Sequence, residues 1–160
     1  MDVILLDIPD IKGQTTLKGF EDKIELLSAS HGVAMQITGT QSNTERTSGR
    51  PNHQDLTVSK YVDLATCPLI AACNAATNLK TISLTVGRND AGAVLPYLVL
   101  TLDNAIVSSV SLSTGGGDRP VETITFNYTK IKWDFTEQKA DLGKKGNNGA
   151  VWDLATNTTA

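Results

Sequence analysis

The sequence is poor in nearly everything that catalysis or membrane passage requires. Only two histidines occur in 160 residues, His31 and His53. Even if folding brought them together, a metal or catalytic centre would still need a third ligand or base, and no pattern supplies one. There is no His-Glu-x-x-His, no Cys-x-x-Cys, no Gly-x-Ser-x-Gly and no Gly-x-x-x-x-Gly-Lys phosphate loop. Gly115-Gly116-Gly117 is followed by an acid and a proline rather than by a helix pattern, so it reads as a turn and not as a phosphate cradle. No catalytic residue, metal ligand or cofactor is expected, and the chain is read as a non-enzyme.

Aromatic residues are only 5% of the chain. That argues against a barrel wrapped around a small apolar ligand, whose cavity would be lined by such rings. Strong charge of one sign is absent too. The formal net charge is −3, with lysines and arginines dispersed among acids. This leaves no electrostatic footprint for nucleic acid or for an anionic membrane. The first residues, Met1 to Asp7, hold one short apolar run between two acids. A secretory leader needs a basic start and about 7–15 apolar residues. No run approaches the ~20 residues that cross a bilayer. The expectation is a chain made in the cytoplasm, without a cleaved signal peptide or membrane insertion. The two cysteines, Cys67 and Cys73, leave two readings, a disulfide or a pair of buried thiols, with the thiols favoured in the cytosol.

What is abundant is alternation. Val33, Met35 and Ile37 fall on one side of an extended chain, with Ala34, Gln36 and Thr38 on the other. The same period of two recurs at Leu56–Ser59, Thr81–Val86 and Ile106–Leu112. With Val3–Ile8, Ile24–Ser30, Val94–Leu102 and Val121–Phe135, this makes about eight strands rich in Thr, Val, Ile and Ser. One alanine-rich stretch, Thr66 to about Asn78, breaks the pattern. It begins with a Thr cap candidate and an early Pro, and predicts a short helix that turns Leu69, Ile70 and Cys73 toward the strands. The segment from Val121 to Phe135 changes parity. Ile124, Phe126 and Tyr128 share one side, whereas Ile131, Trp133 and Phe135 share the other. Either a bulge intervenes or the strand passes from one sheet to another. The expected fold is therefore mainly β: one domain spanning residues 1–160, a β-barrel formed from two antiparallel sheets, with one short flanking α-helix.

Residues Gly39 to His53 contain no large apolar side chain. Structureless loops longer than about 12–15 residues are uncommon in compact domains. Two readings stand, a slack hairpin excursion or an arm that orders on a neighbouring subunit. In the second, Gln41, Asn43, Glu45, Arg46, Arg50 and His53 form the inter-subunit contact, a polar one.

Four stretches, taken together and in order, carry a family resemblance. They are Ile8-Pro9-Asp10-Ile11-Lys12-Gly13-Gln14-Thr15; Ile24 to Val33; Asp55 to Asp63 running into Cys67-Pro68-Leu69; and Glu122 to Phe135 with Gln138 to Asp141 and Trp152 to Asn157. The chain resembles the haemolysin-coregulated (Hcp) proteins, the inner tube of the type VI secretion system. Members often carry an aromatic residue where His31 stands. The resemblance implies hexameric rings that stack into a tube, with a spike protein at its tip and a contractile sheath around it. It also implies effector cargo in the lumen and export of the tube from the cell. The Gly39–His53 loop then joins stacked rings. Small hydroxyl side chains, Ser28, Ser30, Ser109 and Ser111 among them, are lumen and effector-contact candidates, with strand register deciding which of them face inward. A phage-tail-tube-like protein and a monomeric ligand-binding barrel are the alternatives.

Overall fold

The computed structural model describes residues 2–38, 47–138 and 144–159. In chain order the elements are β1 (Asp2–Asp7), β2 (Ile24–Leu26), β3 (Ser28–Ser30), β4 (Val33–Thr38), β5 (Thr47–His53) and β6 (Leu56–Tyr61). They continue with α1 (Thr66–Asn74), β7 (Ile82–Asp90), β8 (Ala93–Asp103), β9 (Ile106–Ser113), β10 (Val121–Asn127), β11 (Lys130–Gln138) and β12 (Lys144–Asp153). The protein is mainly β with one short helix, as its composition predicts.

The strands form a six-stranded sheet in the order β12-β11-β8-β7-β1-β2, a four-stranded sheet in the order β3-β6-β10-β9, and a separate β4-β5 hairpin. Every pairing is antiparallel. Sequence reading found fewer strands because two continuous runs, Ile24–Ser30 and Val121–Phe135, are each divided between sheets and because two strands gave no signal. The Ile24–Ser30 run is divided at Leu27, which donates its N–H across to the Ser59 carbonyl at 2.7 Å, so β2 and β3 serve different sheets. The strands β5 and β12 lack apolar alternation and gave no periodic signal.

The change of parity in Val121–Phe135 is a change of sheet. β10 pairs with β6 and β9, whereas β11 pairs with β8 and β12. Tyr128 and Thr129 make the corner. This crossing lets both halves of one run bury their apolar side in one core. On the six-stranded sheet, Ile24, Leu6, Leu84, Leu100 and Trp133 lie opposite one another strand by strand. On the four-stranded sheet, Ala29, Val58, Ile124 and Val110 do the same, with Leu56, Phe126 and Val107 behind them. Both sets belong to a single core cluster. Phe126, with no exposed surface, contributes roughly 2–3 kcal/mol by leaving water.

The helix ends earlier than its sequence predicts, at Asn74, and Ala65 rather than Thr66 occupies its N-cap. The Thr66 hydroxyl is used elsewhere: it accepts the Asp63 N–H at 3.0 Å and donates to Glu122 Oε1 at 3.0 Å. Leu69 is fully buried and Cys73 half-buried, but Ile70 is 37% exposed and does not face the strands. Cys67 is exposed and both cysteines are free, which corrects the reading of two buried thiols. On a helix, positions six apart lie on different faces, so one thiol can meet solvent while the other packs.

Candidate functional site

Strand register decides where the serines go. Ser28 lies opposite Ser59, which lies opposite Thr123, which lies opposite Ser111. One step along, Ser30, Thr57, Thr125 and Ser109 are aligned in the same way. All of these side chains point away from the core, because the intervening residues Ala29, Val58, Ile124 and Val110 point into it. The four candidates Ser28, Ser30, Ser109 and Ser111 therefore share one solvent-facing surface, and each is exposed. Some of the hydroxyls pair with one another. Ser28 Oγ and Ser59 Oγ are 2.6 Å apart, and Thr125 Oγ1 lies 2.6 Å from Ser108 Oγ and 2.7 Å from Ser109 Oγ. The two aligned rows carry no formal charge. At one end of the face Asp55 accepts hydrogen bonds from Ser108 Oγ at 2.8 Å and Asn127 Nδ2 at 3.0 Å. At the other, the Arg119 guanidinium lies 4.3 Å from the Tyr61 ring centre. The product is a wettable wall whose two hydroxyl rows carry no charge and in part bond to one another.

The predicted polar loop is in part a strand. Thr47–His53 pairs with Val33–Thr38, with a bulge between Met35 and Ile37. Its composition hid it, because Thr-Ser-Gly-Arg-Pro-Asn-His offers no apolar alternation. Pro51 is tolerated because, among the described residues, β5 pairs with β4 alone and is an edge strand. Gln41, Asn43, Glu45 and Arg46 lie outside the described residues. Arg50 is exposed on β5, but His53 is half-buried at the hairpin's root. The expected contact was polar, yet β4 presents Val33, Met35 and Ile37 to solvent at 49%, 45% and 53% exposure. An apolar strip of this kind is suited to being covered by another chain.

The hairpin root gathers both histidines. The His31 ring centre lies 6.2 Å from that of His53, 5.8 Å from Tyr128 and 5.9 Å from Trp133. His53 stacks on Trp133 at 6.0 Å and 30°. Tyr128 Oη bonds to His31 Nε2 and donates to the Gln54 carbonyl at 2.9 Å. Burial raises the Tyr128 pKa, with a smaller contribution from the Asp55 charge. Among the described residues no group of three or more His, Cys, Asp and Glu side chains is placed to hold a metal.

Sequence reading missed one feature outright. Lys60 and Glu122 are cross-strand partners of β6 and β10 and form an ion pair with no exposed side-chain surface. Lys60 Nζ also reaches Asp63 Oδ1 at 2.6 Å. The signal was present, since each charge sits at the apolar parity of its strand, Lys60 with Leu56 and Val58, and Glu122 with Ile124 and Phe126.

Residues 5–135 match the family model described as "Type VI secretion system effector, Hcp". The chain belongs to the Hcp family. It is a tube protein of the type VI secretion system. Protein hcp1 of Pseudomonas aeruginosa is 32% identical over 161 residues, with 98% of each chain covered. A solved structure titled "Structure of a type six secretion system protein" superposes with a TM-score of 0.91 at 26% identity, covering 99% of each chain. Hcp1 from Salmonella typhimurium shares the fold, with a TM-score of 0.81 at 20% identity and 99% of each chain covered. For an Hcp protein, an uncharged face and a projecting apolar hairpin are the parts that need a role.

Proposed function

We propose that residues 1–160 form one tube-building domain whose two sheets act as a barrel, and that six copies close into a ring. The hydroxyl face of the four-stranded sheet then lines the lumen. The observation that carries this reading is that face itself. Two aligned rows of Ser and Thr, free of charge, run across all four strands of one sheet surface, and so much exposed sheet is costly to leave without a task. Such a wall lets folded effector cargo slide, because each weak hydrogen bond to it replaces one already made to a neighbour or to water. The strands β3 and β9 are the outer strands of that sheet among the described residues. Open edges of this kind favour contact with the next subunit.

The β4-β5 hairpin is the contact between stacked rings. Its apolar strip supplies the area, while Arg50 and the 39–46 segment, with Gln41, Asn43, Glu45 and Arg46, supply the polar rim. A head-to-tail contact that closes by rotation gives rings, and a second one gives the stack. The tube assembles in the cytoplasm, meets a spike protein at its tip and a contractile sheath around it, and leaves the cell. Its task is mechanical and requires no cofactor, nucleic acid or membrane insertion. Among the described residues no helix is long and apolar enough to cross a membrane. Sedimentation velocity tests the ring directly. The predicted species has six times the 17.0 kDa chain mass, and a species at the mass of one chain throughout the micromolar range would overturn the proposal.

A further inference from the structure

The two histidines stand at the two roots of the projecting hairpin. His31 is two residues before the start of β4, His53 is the last residue of β5, and Val33 pairs directly with His53. Both rings lean on Trp133 of β11 and on Tyr128 at the corner between the sheets. These contacts tie the hairpin to the body of the protein.

The polar contacts of the two rings bear on the protonation state that fits. Tyr128 has a single proton, and it goes to the Gln54 carbonyl. The hydroxyl must therefore accept from His31 Nε2, which carries a proton there whether that ring is neutral or charged. His53 Nδ1 is buried with no hydrogen-bond partner. A neutral ring can leave that nitrogen bare, but a charged ring must carry a proton there with nothing to receive it. Charging both rings also sets two cations side by side.

We propose that His31 and His53 form a pH-sensitive hinge, which clamps the hairpin to the sheets while both rings are neutral and releases it when they take up protons. The groups that bear on the pair are few. Each histidine faces the other, Tyr128 supplies a hydroxyl, and Asp55 on the β5-β6 connection acts on Tyr128. The Asp55 oxygens are already engaged by Ser108 and Asn127. The cleft beside His31 is otherwise lined by Ser30 and by apolar residues, Ile4, Leu56, Leu98 and Leu100 among them.

Burial, and then the neighbouring His53, hold the His31 pKa below its ordinary value; burial alone does the same for His53. The clamped state thus binds fewer protons than the released one. Clamping is at full strength above the free-histidine pKa of about 6.5. It weakens as the pH falls from there toward the lower values of the clamped rings. The consequence for ring stacking rests on the proposed role of the hairpin, but the hinge itself does not.

Hydrogen exchange of the 33–38 and 49–53 backbone, read by mass spectrometry and corrected for intrinsic rates, tests it. Between about pH 7.5 and about pH 5, the wild-type hairpin should lose roughly several-fold in protection, since both rings bind protons more weakly in the clamped state. The His31→Phe/His53→Phe double variant keeps aromatic bulk without a titrating nitrogen and should hold its protection constant. Unchanged wild-type protection, or an equal loss in the double variant, overturns the hinge. Should the double variant fail to fold, NMR on the wild type decides. The imidazole titrations and the Met35 methyl shift should share a midpoint below about pH 6.5, and independent midpoints overturn the hinge. Pelleting of stacked rings across the same range separates the two ideas. Stacking that occurs at neutral pH and fails on acidification supports the hinge. Stacking at neither pH counts against the role of the hairpin in the tube. Stacking unchanged at both, while exchange protection falls, keeps the hinge but severs it from assembly.

Discussion

Lys60 and Glu122 face each other across β6 and β10, ion-paired and wholly withdrawn from water. The pair joins the four-stranded sheet to the start of α1, because Thr66 donates to Glu122 and Asp63 accepts from Lys60. Removing one partner leaves a buried charge without its counter-ion. Lys60→Met should therefore lower unfolding free energy by about 3–5 kcal/mol, whereas Lys60→Met/Glu122→Leu should recover most of that loss. Urea titrations at one fixed protein concentration compare them. Equal losses in the single and double variants would mean that these residues act through packing alone.

Gly13 predicts a second, sharper effect. A Cβ built there would overlap the Lys23 carbonyl, and Ile24 Cα would lie only 2.8 Å from it. Both obstacles are backbone, held in place by the bonds from Gly13 N–H to Asp22 O and from Thr15 N–H to Lys23 O. Gly13→Ala should cost about 3 kcal/mol. Gly115→Ala, where a Cβ meets open space, should cost much less. Thermal unfolding of the two variants checks the contrast, and similar shifts would show that the Gly13 segment yields easily.

The hydroxyl face carries the third prediction. Ser30 is exposed in the row Ser30-Thr57-Thr125-Ser109, so Ser30→Arg should fold normally. If the face lines a lumen, the bulky charge should impair cargo retention by about tenfold while ring size by sedimentation stays unchanged. Equal loss of retention and ring would place Ser30 in a contact between subunits.

The hairpin carries the fourth. Met35→Asp/Ile37→Asp puts two charges on the exposed apolar strip of β4 and removes no buried contact. Rings should persist, and their stacking should weaken by about tenfold or more, since burying an unpaired carboxylate is costly. Stacks that pellet as well as wild type would show that the strip stays open in the tube.

The sequence made some of this legible and hid the rest, for physical reasons. Alternation exposed every strand that has one wet and one dry side. The parity change between Tyr128 and Ile131 was readable because it requires either a bulge or a change of sheet, and the pairing partners of β10 and β11 decide for the change of sheet. The four serines were nameable from composition, but placing them on one face required the pairing partners of β3, β6, β10 and β9. β5 and β12 were invisible, since Gly49-Arg50-Pro51 and Gly146-Asn147-Asn148-Gly149 look like turns and become strands only when a neighbour pairs with them. His31 and His53 could not be read as neighbours for the same reason, because their meeting depends on β5 forming. The helix cap was misread, because a Thr at a helix start has more than one possible partner and Glu122 lies 56 residues away.

Electron microscopy of the purified protein, negatively stained at a few tens of micromolar before dilution, tests the tube reading most directly. The account predicts rings with a central hole and sixfold symmetry, some of them stacked on their flat faces. A field of small solid particles of single-chain size, without a hole, would contradict it.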